Sequence, residues 1–529
     1  MIKRISQRKS KLVIKMSFTT QLQHRLVEPR LFYALLKFIM KKYERRWLIN
    51  IISMILTMLI LPFWWILLIV FKVYKESIRL ILRLIYGKKF IRIIHGRDLP
   101  FAIETSTDIS TITSVLLINS QENGEAFFNR ISQFLFYIIS SVPKTRCLRQ
   151  NLLGFVCLME TEIRQEDFIK DMKLPEDNCD FIRFMDRFEN EPMPFENRGL
   201  LQFYVGKKTV LSSKGYRCYP ILMRYHHCLG DGVSIMNFII AHLVGNPNST
   251  VSVDSWRSKF KKIVKNFSVT SEVYDSRVVQ KQRSDFLKKH TGKKYMLSFS
   301  EVEPRIMEKI KMIKNFKGVT FIAVLMAALG KAMQDYIRKN KMTDLERLMT
   351  TFTYYPESKF NYGNPDEFTN KVGLSTMKLP ICVEGGWDER LKIINEEQNE
   401  MKSSMDENVY EWFTKVVLSL FPVPITKCLV PMFFNPLILS NLPGLKETCL
   451  IDGHKLEDYL LWPPNLHDLA ISIATYSYCN RFYVNLKVDS GVIPDYDDAK
   501  TLMLEIVENI NKMERLYLKA ASNYTITHL

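Results

Sequence analysis

From Trp47 to Phe71 the chain runs twenty-five residues without a charged side chain, bracketed by Arg45 and Arg46 before it and Lys72 after it. A helix rising about 1.5 Å per residue can cross a hydrocarbon core of about 30 Å over such a length. The run therefore predicts a membrane anchor. Pro62 removes one helical hydrogen bond inside it, so a kinked spanning helix and a hairpin that enters and returns both fit. Six Lys or Arg lie in the twenty residues before the run and six in the twenty after, which leaves orientation undecided. The run starts too late and is too long for a cleaved signal peptide, and a mitochondrial presequence does not require it.

Over 72–89, Val73, Ile78, Ile81, Leu82 and Ile85 share one helical face while Lys75, Arg79 and Arg83 share another. That pattern fits a helix in the headgroup plane or a surface helix of the following domain. The net charge of +19 asks for an anionic partner. With no finger, helix-turn-helix or RNP motif, the expectation is a membrane surface and no nucleic acid. Nine cysteines stand singly with no CxxC pair, as in a reducing compartment. The sequons at Asn248, Asn266 and Asn523 matter only if the chain faces a secretory lumen. The expected location is a membrane, the endoplasmic reticulum with a cytosolic catalytic region, or the plasma membrane.

Nearly half of the 529 residues (47%) are hydrophobic, enough for more than one core at about 100 to 200 residues per domain. The expected order is a basic segment (1–46), the membrane segment (47–71), a connector (72–89), a first mixed domain (90–250), a basic linker (251–295) and a second mixed domain (296–529). A helical stripe runs from Phe127 to Ile139, and Leu200 to Val205 and Cys218 to Tyr225 are of strand length. Helix is expected from Val233, near Thr320 to Ala332 and over the amphipathic stretch Asp388 to Leu420. Strands are expected near Asp468 to Tyr476 and Arg481 to Lys487, with a last helix from Asp495.

Chemistry concentrates in His226, His227, Cys228, Leu229, Gly230, Asp231 and Gly232, where a strand runs in and a helix runs out. Neighbours on a strand point to opposite faces, so the two histidines do not converge on one metal ion, and no metal is expected. There is no GxSxG elbow, and nothing near Cys228 lowers its pKa. A satisfied structural pair and a general base remain.

The heptad resembles the HHxxxDG signature of the CoA-dependent, chloramphenicol acetyltransferase-like acyltransferases, and within them the wax ester synthase/diacylglycerol acyltransferase family. Ser440, Asn441, Leu442, Pro443 and Gly444 resemble that family's SN-x-PG segment, and Asn370 with Leu379 and Pro380 its "GN…LP" stretch. Two features depart from the pattern: no PLW precedes the histidines, and Ile322 and Ala323 stand where the family has Asn-Asp.

The resemblance implies an α/β fold of two domains with mixed sheets meeting at a central tunnel. It implies acyl transfer from acyl-CoA, as substrate and without a cofactor, to a fatty alcohol or diacylglycerol. His227 would be the base and His226 its support, with Asp231 structural and Gly232 in the turn. Thr320, Asn441 and Ser440 would be candidate oxyanion or substrate contacts. Another small acceptor, or a membrane-bound acyl-CoA or lipid-binding protein without turnover, are the alternatives. Oligomeric state is not legible.

Overall fold

The computed structural model describes residues 59, 63–104, 109–175, 180–243, 290–302, 305–342, 345–354, 368–403, 410, 413–430, 435–442, 444, 445, 447–467 and 469–526. Most of the predicted membrane segment, Pro62 included, and the basic linker through residue 289 lie outside the described residues. The chain divides into Met1–Ile69 and Val70–Leu529. In the first unit residues 63–69 are helical, with Phe63, Trp65, Ile66 and Ile69 exposed. Among the described residues no single helix is long and apolar enough to cross a membrane.

The second unit contains strands β1 (Phe90–Ile93), β2 (Thr111–Asn119), β3 (Cys147–Leu152), β4 (Phe155–Glu160), β5 (Ile169–Asp171), β6 (Leu201–Val205), β7 (Val210–Leu211) and β8 (Arg217–His226). These are followed by β9 (Lys294–Ser300), β10 (Arg347–Tyr354), β11 (Gly373–Pro380), β12 (Leu437–Asn441), β13 (Leu450–Ile451), β14 (His454–Trp462), β15 (Ile471–Tyr478) and β16 (Arg481–Asp489). One large sheet has the order β13-β14-β2-β8-β6-β5, with β7 paired to β8, and the other has β11-β10-β12-β15-β16-β9. Both mix parallel and antiparallel pairs: β5 runs parallel to β6, and β12 parallel to β10 and β15, while their other neighbours are antiparallel.

The two halves are interlaced. Strand β14, from late in the chain, pairs with β2 near its start, Tyr459 opposite Leu116. Strand β8 lies inside this sheet, and every residue from Cys218 to His226 is buried, which accounts for its nearly unbroken apolar run. The predicted strand pair at Leu200–Val205 and Cys218–Tyr225 is β6 against β8, with Leu201 opposite Tyr225. The Phe127 stripe lies on a helix, Gly124–Ser141, started by Asn123 accepting from the Ala126 N–H. The stretch Asp388 to Leu420 is described as two separate pieces, a helix at Gly386–Ser403 and π-type turns at Phe413–Leu418.

The second core lies between the β9–β16 sheet and helices Ile306–Lys317, Phe321–Lys339 and Tyr496–Ile526. Gly318, left-handed at φ 64°, ends the first of these, and Thr320 caps the next. The small residues Ala327, Ala328 and Ala332 let the last helix approach closely, so that Asn509 Nδ2 donates to the Ala328 carbonyl at 3.1 Å.

The connector at 72–89 is a helix over residues 70–86 followed by a short turn. Ile78 and Leu82, one turn apart, seat it on the small sheet β1-β4-β3 against Phe90, Phe155 and Met159. Phe71 meets Phe421 edge-on at 4.6 Å. A second apolar stripe stays uncovered, with Leu84 86% exposed and Val73, Leu80 and Ile85 more than half exposed.

A buried ion pair joins the halves. Lys487 Nζ on β16 donates to Glu189 Oε1 at 2.8 Å and to the Thr111 carbonyl on β2 at 3.0 Å, and the other Glu189 oxygen accepts from Thr113 Oγ1 at 2.5 Å. Burial pushes the Lys487 amine down to about 8, with Glu189 opposing. Removing one partner strands the other charge in the interior. Lys487→Met should therefore cost about 3–5 kcal/mol in thermal or denaturant unfolding, and the double replacement Glu189→Leu with Lys487→Met should recover much of that loss.

Candidate active site

Strand alternation sorts the two histidines. His226, the last residue of β8, is fully buried on one side, where Nε2 meets Glu104 Oε1 at 2.6 Å. Its Nδ1 lies 2.9 Å from Cys228 Sγ and accepts from the Cys228 N–H at 3.2 Å. A main-chain N–H and a thiol on Nδ1 leave Nε2 to carry the proton, donated to a carboxylate. Glu104 is also bonded to Arg149 Nη1 at 2.6 Å and to the Ser110 N–H at 2.7 Å. Burial and Arg149 pull His226 down to about 4, against Glu104. Burial pushes Glu104 the other way, but His226 and Arg149 outweigh it and hold the carboxyl low.

Cys228, His226 and Glu104 thus line up in the order of a thiol triad. The thiol is buried, however, and burial pushes it up to about 12. A protonated thiol without access to a cleft is a structural group.

His227 points the other way. Its ring stacks on Phe101, with centroids 3.6 Å apart and planes at 11°. Its main chain is held at both ends, the N–H donating to the Ser110 carbonyl at 2.7 Å and the carbonyl accepting from Asn370 Nδ2 at 2.8 Å. The ring lines a cavity of about 50 Å³ whose walls come from both large sheets, among them Ile112, Val372, Leu374, Ile438 and Leu461. Burial is the main cause that brings His227 down to about 4; its own carbonyl, Asn370 and Asp98 oppose this, and His226 adds to it. At neutral pH the ring is uncharged and able to accept a proton.

Asp231 holds the turn from two directions. Oδ1 caps the helix Gly232–Phe238 by accepting from the Ser234 N–H at 2.9 Å, and Oδ2 accepts the N–H groups of Lys371 at 2.8 Å and Val372 at 3.1 Å. Those two residues lead into β11 of the other sheet, so the carboxylate fastens one half to the other. Gly232 is the first residue of the helix, and a Cβ there would touch the Leu442 methyls at 3.4 Å in the cavity wall.

The oxyanion candidates separate. Strand β12 alternates: Leu437 and Leu439 enter the second core, while Ile438 and Ser440 face the cavity. Asn441 falls on the Leu439 side and accepts from Thr475 Oγ1 at 3.0 Å, so it does not line the cavity. Thr320 does not reach it either, because its hydroxyl caps a helix and donates to Gln398 Oε1 at 2.6 Å. Ser440 Oγ instead lies 3.1 Å from Thr353 Oγ1, and both line the cavity beside His227. In a hydroxyl pair one proton joins the two oxygens and the second is free to point into the cavity. Gly444 is required nearby, since a Cβ there would fall 2.2 Å from the Ser477 carbonyl oxygen.

Residues 368–514 match a family model, the WS/DGAT C-terminal domain. Over that stretch the chain resembles the C-terminal domain of the wax ester synthase/diacylglycerol acyltransferase family. Wax ester synthase/diacylglycerol acyltransferase 2 of Arabidopsis thaliana is 23% identical over 331 residues, 54% of this chain and 68% of the relative. Number 9 of the same plant is 22% identical over 350 residues, 56% of this chain and 70% of the relative. The wax ester synthase/diacylglycerol acyltransferase from Marinobacter aquaeolei VT8 superposes with a TM-score of 0.54 at 16% identity, over 80% of this chain and all (100%) of that one. A trichothecene 15-O-acetyltransferase from Fusarium sporotrichioides gives 0.55 at 12%, over 79% and 94%. These two structures share the fold. The family resemblance drawn from HHCLGDG and SNLPG is borne out, and the family is one of acyltransferases.

Both histidines have an ordinary value of 6.5 and are lowered to about 4 in the folded chain. Between those values the unfolded chain binds protons that the folded chain does not, so stability is full above about 6.5 and falls as pH drops toward 4. The melting temperature should decline across that window, and His227→Gln should make the decline shallower.

Proposed function

We propose that this chain transfers a long acyl group from acyl-CoA to the hydroxyl of a lipid alcohol, a fatty alcohol or diacylglycerol, with His227 as general base. The observation that carries the reading is an uncharged imidazole facing an apolar cavity walled by both sheets, with the hydroxyls of Ser440 and Thr353 on the same cavity. The ring takes the proton of the acceptor hydroxyl as that oxygen attacks the thioester carbonyl. Ser440 or Thr353 then donates to the developing oxyanion. The imidazolium returns its proton to the departing sulfur, and a thiol of pKa about 8.5 leaves far more readily than an alkoxide. His226, neutral and donating to Glu104, keeps the turn in place.

The expected partner surface is a membrane. The uncovered stripe of Val73, Leu80, Leu84 and Ile85 lies among Lys72, Arg79, Arg83, Lys88 and Lys89, and Glu76 is paired with Arg79. Apolar burial with basic flanks suits an anionic bilayer.

In a membrane assay with long-chain acyl-CoA and either acceptor, His227→Ala should lower product formation by about 10²–10⁴-fold. Equal product from both proteins rejects the mechanism, and tight acyl-CoA binding without CoA release leaves a binding protein. In flotation with anionic vesicles, Leu84→Glu with Ile85→Glu should reduce the bound fraction, and unchanged binding rejects this stripe as the contact.

A further inference from the structure

We infer that a second cavity, separate from the one at His227, binds the phosphate group of a membrane phospholipid. Phe101 lines the His227 cavity, whereas Ala102, Ile103 and Glu104 line this other one, of about 620 Å³. Its remaining walls are β3 from Arg149 to Leu152, the turn at Glu196–Arg198, and Val423 and Lys427 of the helix Val423–Leu429. The inference rests on the membrane contact proposed above and is independent of His227 being the base.

The inner carboxylate of this cavity is already spent. Glu104 meets Arg149 Nη1 at 2.6 Å, His226 Nε2 at 2.6 Å and the Ser110 N–H at 2.7 Å. Glu196, with its side chain 90% exposed, reaches into solvent 3.6 Å from Arg198. The unspent groups are donors. Lys427 and the side-chain amides of Gln150 and Asn151 have no partner among the described residues. Arg149, 7% exposed, gives its second arm to the Asn197 carbonyl and keeps a buried Nε without a partner. Strand β3 is also the edge of the sheet β1-β4-β3. The Arg149 N–H points outward to the Arg198 carbonyl at 2.8 Å, so the Asn151 N–H, two residues on, points outward as well and has no main-chain partner among the described residues. An ammonium, a guanidinium and a main-chain N–H around one space suit an oxyanion.

The turn beside them is fixed in advance. Phe195, Glu196 and Asn197 are all left-handed, at φ 54°, 56° and 68°, a conformation unfavourable for residues with side chains. It is held by Asn197 Oδ1, which accepts from the Met193 N–H at 2.7 Å, and by Arg149 on the Asn197 carbonyl. Arg198 is thereby kept next to β3.

The rim points to a lipid as the source of the phosphate. Leu153, 50% exposed, follows Leu152 in the β3–β4 turn, and Ile425, 37% exposed, lies between Val423 and Lys427. The Val423 N–H donates to the Gly154 carbonyl at 2.7 Å, so the two apolar side chains belong to elements bonded to each other. Phe71 against Phe421 and Tyr74 against Phe155, at 5.9 Å, set the start of the helix over residues 70–86 on the same two elements. That helix carries the uncovered apolar stripe. A phosphate ester with acyl chains would place its charge on Lys427, Arg198 and the Asn151 N–H, and its chains over Leu153 and Ile425; free phosphate would use only the first group.

The test is calorimetric titration of the full chain with dihexanoyl phosphatidic acid below its micellar concentration, beside glycerol 3-phosphate and inorganic phosphate. The wild type should bind the soluble lipid saturably, about tenfold or more tighter than either phosphate. Lys427→Glu with Arg198→Glu should raise its Kd by about tenfold or more. Lys311→Glu with Lys500→Glu, the same charge change on helices of the second core, should leave it within about twofold. Leu153→Asn with Ile425→Asn, asparagine being tolerated at the left-handed position 153, should bring the lipid down to the affinity of glycerol 3-phosphate. No saturable binding, or equal weakening by both charge-reversed pairs, overturns the site. Equal affinity for lipid and inorganic phosphate leaves an anion site and overturns the lipid as its ligand. Leu84→Glu with Ile85→Glu should not change this titration, so flotation and titration can fail separately and the stripe and the cavity are judged apart.

Discussion

Everything at this site depends on how residues 368–372 are fastened to the turn after β8. Asp231 takes two of their N–H groups, Lys144 takes the Phe368 carbonyl, and Asn370 reaches the His227 carbonyl. The segment leads directly into β11 of the second sheet. One cluster of buried, charge-assisted hydrogen bonds thus sets both the aim of the His227 ring and the meeting of the two halves. Such bonds are strong because the alternative is an unpaired charge in a low-dielectric interior. The Lys487–Glu189 pair repeats the device between β16 and β2.

The two histidines show how adjacent residues receive opposite duties. One is saturated: His226 has partners on both nitrogens and is fully buried. The other lacks a polar partner on Nδ1 among the described residues and stacks on Phe101. Burial lowers both, and of the two it is His227 that lines the small cavity between the sheets. An apolar wall holds that ring uncharged, as a base must be before it accepts a proton.

Much of this was legible in the sequence because it is local. The heptad, the strand entering it and the helix leaving it are covalent neighbours, and β alternation alone sends His226 and His227 apart. The same alternation separates Ser440 from Asn441, since Leu437, Ile438 and Leu439 reveal the pattern of β12. Thr320 could have been read as a helix cap from the apolar helix that follows it. Glu104 and Thr353 were not legible, for they lie 122 residues before His226 and 87 before Ser440, and only tertiary folding joins them. Asn370 was visible as part of a motif but carried no role until its amide was seen between Asp98 and His227. The interlacing of β14 with β2 likewise leaves no local trace.

On the proposed reading, His227 and the two hydroxyls form one reaction chamber for a thioester and an alcohol. The most direct measurement is a crystal structure with a non-hydrolysable thioether analogue of acyl-CoA. Its sulfur should lie beside the His227 ring and its acyl chain along Ile438, Leu442 and Leu461. A well-ordered analogue bound away from the His227 ring would contradict this arrangement.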